Sequence, residues 1–311
     1  MADIEDSSGK TNPTLSPRRS QADPLRQATT TLVRWRAGVA SASEDELAVE
    51  EPLEIRLRLG ENPSHPSATE TIAVIMRTPG ADEELAVGFL YSEGLLASAD
   101  ELRAVLPGQD ADGLPSPNLL DIIPTPEAGI AERLRAGGVS RAFAVNASCG
   151  VCGRNSIAAV CAAFPPRAGQ TPLTTGSALA GLPNQLRAGQ RVFSSTGGLH
   201  AAGLFAPDGT LIALREDVGR HNAVDKLIGR ALLDHALPLA QTMLLVSGRL
   251  SFEIVQKVVA AGIPLVAAVS APSSLAVDLA RESGVTLVAF LRGASMNIYT
   301  HPARIIAEGD T

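Results

Sequence analysis

The chain has 311 residues, room for about two domains at the usual ~100–200 residues each. Hydrophobic residues make up 45% and charged residues 19%, which excludes a disordered acidic chain and a charge-laced coiled coil. A net charge of −7 disfavours nucleic acid as a partner, and three cysteines are too few for a disulfide framework, so a reducing compartment is the default.

Residues 1–28, acidic and then Ser/Pro-rich, read as a disordered tail without an apolar signal segment. Strands are expected at Thr31–Arg36, at Leu53–Leu59 with clean period-2 alternation, and at Thr71–Arg77, closed by Pro79-Gly80. A helix follows from about Ala81 to Glu93, with Leu85, Ala86, Phe89 and Leu90 on one face. A strand near Leu119–Ile123 and a helix near Glu127–Leu134 precede the apolar run Ala142–Val145. From about residue 190 strands and helices alternate: Leu211–Leu214, Asp217–Leu233, Thr242–Val246, Ser251–Ala261, Pro264–Val269, Ser273–Glu282 and Val285–Phe290, with Asn297–Thr300 as an edge strand. The uncharged run Val258–Val277 has the length of a membrane span, but Gly262, Pro264 and Pro272 divide it into helix end, strand and turn, so no membrane is expected.

The fold class is therefore α/β (α+β), a C-terminal βαβαβ domain beside a smaller strand-rich lobe. The boundaries fall at 1–28 (tail), 29–145 (N-terminal lobe), 146–190 (cysteine-loop segment), 191–305 (α/β domain) and 306–311 (tail).

The densest chemical signal is Cys149-Gly150-Val151-Cys152-Gly153. The spacing suits a redox or sulfur-carrying thiol pair, half of a zinc site, or two structural cysteines in a tight turn. Zinc needs further ligands, from Cys161, His65, His200, His221 or His301. Cys161 sits in an apolar stretch and reads as a buried core thiol. The H-x-E and P-C-x-x-C signature of zinc deaminases is missing.

A second cluster is Thr196-Gly-Gly-Leu-His200 with Arg215–Lys226, where Asp217 is the natural N-cap of a helix whose first turns carry Arg220, His221 and Lys226. Cations there oppose the helix dipole. A bound anion such as phosphate would resolve the conflict, as would neutralisation by Asp217 and Asp225 on a solvated face. Glu253 and Lys257 form a favourable i,i+4 pair. Ser247-Gly248-Arg249 and Phe290–Ser295 are loops at the carboxyl ends of strands, where α/β sheets bind ligands.

Together, CGVCG at 149–153, TGGLH at 196–200, REDVGRHNAVDK at 215–226, SFEIVQK at 251–257 and FLRGASMNIYTHP at 290–302 resemble the FdhD family of formate dehydrogenase accessory sulfurtransferases, over about residues 30–305. The resemblance implies a C-terminal three-layer domain related in fold to cytidine deaminases without their zinc. It implies a cytoplasmic homodimer that takes sulfur from a cysteine desulfurase as a persulfide on Cys149, with Cys152 as loop partner. The sulfur would pass to Mo-bis(molybdopterin guanine dinucleotide), the cofactor of formate dehydrogenase, with Phe290, Leu291, Arg292, Gly293, Ala294 and Ser295 as the cofactor stretch. Arg220, His221 and Lys226 are the candidate cations for its nucleotide end. No structural metal is expected. Competing readings are a zinc-dependent hydrolase or deaminase using the CxxC, and a cofactor chaperone that never holds sulfur.

Overall fold

The computed structural model describes residues 25–58, 69–136, 156–164 and 173–306, with the two-residue strand β1 (Arg18–Arg19). Cys149, Cys152 and the run 142–145 lie outside the described residues.

Strands β2 (Gln27–Arg36) and β3 (Val39–Ala48) form a ribbon. Its second strand was not expected from the sequence, because VASASEDELA is small and acidic and its residues are largely exposed. The ribbon leads into a four-stranded sheet of β4 (Glu51–Arg58), β5 (Thr69–Arg77), β6 (Leu102–Gln109) and β7 (Pro115–Pro124), in the order β5-β4-β7-β6. The alternation seen in the sequence is the inward face of β4: Leu53, Ile55 and Leu57 are fully buried. They pack on α1 (Asp82–Ser92) through Leu85, Ala86 and Leu90 and on Ile130 of α2 (Ile130–Ala136). Buried Arg77 fastens the end of β5 to the start of α1 with two bonds to the Asp82 carboxylate (3.0 and 2.9 Å).

Helix α3 (Ile157–Ala163) is followed by β8 (Thr174–Thr175), α4 (Gly176–Gly189) and α5 (Arg191–Thr196). Cys161 on α3 corrects one expectation: it is partly exposed and only flanks the core, because one side of this short helix faces outward.

The third sheet comprises β9 (His200–Phe205), β10 (Leu211–Asp217), β11 (Met243–Val246), β12 (Leu265–Ala268), β13 (Thr286–Arg292) and β14 (Ser295–Ile298), in the order β10-β9-β11-β12-β13-β14. The three central strands β11, β12 and β13 are parallel and buried. One face packs on α6 (Arg220–Leu233), α7 (Phe252–Ala261) and α8 (Ser274–Glu282), burying Leu227, Val255, Val258 and Leu279. The other face packs on α4 through Leu179, Leu182 and Leu186, giving three layers. The final strand β15 (Ile305–Ile306) pairs with β8.

The two larger sheets are joined by helices. Helix α1 packs on α6 so closely that Gly88 and Gly229 face each other's backbone. Arg215 on β10 adds a two-pronged bond to Glu84 on α1 (2.6 and 2.7 Å). Among the described residues no helix is long and apolar enough to cross a membrane, and 258–277 divides into the end of α7, β12 and the start of α8.

Candidate functional site

The carboxyl ends of β11, β12 and β13 share one edge of the sheet with the start of antiparallel β9 and the end of β10, since Val246 pairs with Ala202 and Asp217 with His200. The loops along this edge are stitched together. Ser247 donates its N–H to Ala201 O (2.9 Å) and accepts at Oγ from Ala201 N–H (2.9 Å). Val269 N–H donates to Val246 O (3.4 Å), Phe290 N–H to Ser270 O (3.2 Å), and Arg292 Nε to Val269 O (3.3 Å). At about 4.8 Å per strand, the edge from β9 to β13 is about 14 Å long. That length suits an extended ligand lying across several strand ends.

At one end of this edge stand His200, Arg220, His221, Ser251 and Glu253. Gly248 lies against both, at the distance where a Cβ would make ordinary contact with His200 Nδ1 (3.4 Å) and Arg220 Cδ (3.5 Å). His221 Nε2 lies 3.2 Å from Ser251 Oγ and 3.8 Å from Glu253 Oε2. Burial, with Lys257 and Arg220 nearby, outweighs Glu253 and lowers the His221 pKa to about 4. Burial and then Arg220 also lower the His200 pKa. Both rings are thus biased toward the neutral form. Arg220 Nε is buried and has no hydrogen-bond partner among the described residues, as expected of a guanidinium kept for a ligand.

At the other end, β13 bulges between Ala289 and Arg292 and turns through Gly293 and Ala294 into Ser295. Phe290 takes a left-handed backbone (φ 53°), unusual for a bulky residue, and is 38% exposed. Gly293 (φ 54°) makes the turn. Arg292, Ala294 and Ser295 are also exposed, whereas Leu291 is fully buried in the core opposite the site. Of the six residues in this stretch, Leu291 therefore supports the loop from below.

Lys226 is placed differently from Arg220 and His221. It is 1% exposed, with Nζ 2.7 Å from Asp217 Oδ2 and donating to Thr78 O (2.9 Å). The helix itself starts at Arg220, with Gly219 as N-cap. Asp217 ends β10 and organises the entry, accepting from Gly219 N–H (2.8 Å), Asn222 Nδ2 (2.8 Å) and Thr78 N–H (3.3 Å). Lys257 reaches Asp225 Oδ1 (2.8 Å), while Glu253, its expected partner, turns to His221. Asp217 neutralises Lys226 as the sequence suggested, but Asp225 takes Lys257 instead of a cation at the helix start, and both pairs are buried, not on a solvated face.

Two features were not legible in the sequence. Thr78 belongs to the first lobe yet holds both Asp217 and Lys226. Gln256 is fully buried with both amide atoms unpartnered among the described residues, a placement no local pattern signals. Among the described residues no group of three or more His, Cys, Asp or Glu is arranged to hold a metal ion.

Residues 48–306 match the FdhD/NarQ family. The chain belongs to this family. It is 51% identical over 278 residues to the sulfur carrier protein FdhD of Streptomyces avermitilis, covering 88% of this chain and 94% of that one. The Mycolicibacterium paratuberculosis sulfur carrier protein FdhD is 53% identical over 274 residues, covering 86% and 95%. Among solved structures, the chain is similar to the crystal structure of a candidate formate dehydrogenase accessory protein from Desulfotalea psychrophila. It has a TM-score of 0.65 and 26% identity, and it covers 90% of this chain and all of the other. All five FdhD-like motifs from CGVCG to FLRGASMNIYTHP lie inside the matched span, and the strand-end edge is built from the last four.

Proposed function

We propose that this FdhD family member carries sulfane sulfur from a cysteine desulfurase to Mo-bis(molybdopterin guanine dinucleotide) destined for formate dehydrogenase, acting in the cytoplasm as a homodimer. The observation that carries the reading is near-full-length identity of 51% to a protein named as a sulfur carrier, in a chain that has the thiol pair CGVCG at 149–153.

The chemistry fits a cysteine thiolate. Cys149 attacks the outer sulfur of the donor's persulfide, the donor's S–S bond breaks, and the donor leaves as a thiolate, so Cys149 holds S–SH without net oxidation. Attack by Cys152 on the inner sulfur would instead expel hydrosulfide and leave a disulfide, so Cys152 must be kept from closing before delivery. Glycines at 150 and 153 suit a loop that presents its thiols to two different partners.

The client cofactor ends in a guanosine diphosphate unit. Arg220, with its buried unpartnered Nε, and Arg292 supply guanidinium forks suited to phosphates, and exposed Phe290 offers an apolar face. His221 and His200, held neutral, add hydrogen-bonding groups without like-charge crowding around Arg220.

Mass spectrometry tests the sulfur step. After incubation with a cysteine desulfurase and cysteine, the peptide containing Cys149 should gain one reductant-labile sulfur, and Cys149→Ala should not load. Equal loading of Cys149→Ala would overturn the assignment. Absence of loading in the unaltered chain would favour a chaperone that binds the cofactor alone.

A further inference from the structure

A cavity of about 360 Å³ opens on the far side of the Asp217–Lys226 pair, between β10, the start of α1 and the junction of α4 with α5. Its lining includes Arg26, Arg191, Arg215 and Lys226, with Gly80 and Ala81 at the entry to α1. Four cations from four segments converge on one space, and the carboxylates near them, Asp82, Glu84, Glu216 and Asp217, have partners of their own, Asp82 being held by Arg77. Glu84 holds Arg215 by both oxygens, and Asp217 holds Lys226. Glu216 accepts the N–H groups of Val192 (3.1 Å) and Phe193 (2.8 Å).

Two guanidiniums are left over. Arg26 donates from one terminal nitrogen to Glu216 O (3.1 Å), while its Nε is buried without a partner. Arg191 has no ion pair or hydrogen bond among the described residues. The unmatched charge is also felt by Lys226, whose pKa is lowered by burial, with Arg26 contributing against the pull of Asp217. Helix α1 begins at the same cavity without a side-chain cap, and its first turn carries Asp82, held by Arg77, with Glu83 and Glu84, the latter held by Arg215. Its N-cap Ala81 is held in the left-handed region (φ 56°), a strained conformation for a non-glycine residue. Two uncommitted guanidiniums and a volume within the range of small-ligand pockets are therefore found together.

We propose that this cavity is a phosphate site, taking the phosphoryl group of a small phosphorylated molecule, separate from the strand-end edge and independent of the sulfur-carrier reading. A tetrahedral oxyanion can accept from Arg26 and Arg191 on different sides, which a planar carboxylate cannot do equally well.

The test is calorimetric titration of the full chain at constant ionic strength with inorganic phosphate, pyrophosphate and citrate. A saturable site that depends on Arg191 is expected for a phosphoryl probe, beside any binding at the strand-end edge. Tighter binding of pyrophosphate would point to a diphosphate-bearing ligand, and equal binding to a monophosphate or free phosphate. The exposed and unpaired Arg191 can be altered without disturbing the fold, so Arg191→Gln should weaken binding roughly tenfold, with Arg26→Gln as a second variant. Arg281→Gln, an exposed arginine paired with Asp278 outside both sites, should leave it unchanged. The proposal fails if neither phosphoryl probe saturates, if citrate binds more tightly than both, or if Arg191→Gln matches the unaltered chain. Loss in Arg292→Gln alone would move the phosphate to the strand-end edge and also overturn it. None of these outcomes bears on whether Cys149 loads sulfur.

Discussion

Gly88 on α1 and Gly229 on α6 meet backbone to backbone: a Cβ on Gly88 would stand 1.9 Å from Asp225 O, and one on Gly229 would stand 1.8 Å from Glu84 O. Neither clash can be relieved by rotating a side chain, so the helices would have to part. Gly88→Ala or Gly229→Ala should cost at least about 3 kcal/mol in urea unfolding or prevent folding. Gly181→Ala on α4, where an added Cβ meets nothing within 4 Å, should be neutral or stabilise by roughly 0.5–1 kcal/mol.

Lys226 depends on Asp217, with both side chains almost completely out of water. Asp217→Asn would leave a buried ammonium without its counter-charge and should cost about 3–5 kcal/mol. Adding Lys226→Met removes the stranded charge and should recover part of the loss. Denaturant titration of the single and double variants checks this, and a cost below about 1 kcal/mol for Asp217→Asn would mean that water reaches the pair.

The buried imidazole of His221 makes stability fall on the acid side. Its pKa drops from the usual 6.5 to about 4 in the fold, so between those values the unfolded chain binds a proton that the native chain does not. The contribution is complete above about pH 6.5 and is lost as pH falls toward 4. His221→Asn should flatten the pH dependence of unfolding over that interval by about 2 kcal/mol, less than full burial would give because the ring is partly exposed. Unfolding curves recorded across this range provide the measurement.

The proposed cofactor role assigns Arg220 to the nucleotide's diphosphate. With guanosine diphosphate as the probe, Arg220→Gln should raise Kd about tenfold, and Arg292→Gln should also weaken binding. Equal affinity in both variants would place the nucleotide elsewhere.

How much was readable beforehand depended on where each signal was stored. Burial of β4 is local, so Leu53, Ile55 and Leu57 announced their strand, and the βαβαβ order from 211 to 290 followed from apolar runs separated by turn residues. Helix α4 was missed because Pro183 interrupts its sequence, although its buried Leu179, Leu182 and Leu186 keep helical spacing. Strand β3 was missed because pairing with β2, over ten residues, holds it and burial does not. Residue types at the site were legible, and their partners were not. Lys257 has an acidic neighbour at helical spacing in Glu253, yet it reaches Asp225, 32 residues away, and Lys226 is gripped by Thr78 in another sheet's loop. Charge pairing across a fold is set by packing, which one helix's periodicity does not encode.

Both described lysines are buried in ion pairs, and the surface cations among the described residues are arginines and histidines. The native fold therefore offers almost no primary amine to an acylating reagent. Labelling at Lys226 becomes a clock for the opening of α6 from the end of β10, and labelling at Lys257 for the parting of α7 from α6, since either nitrogen reacts only when its carboxylate has let go.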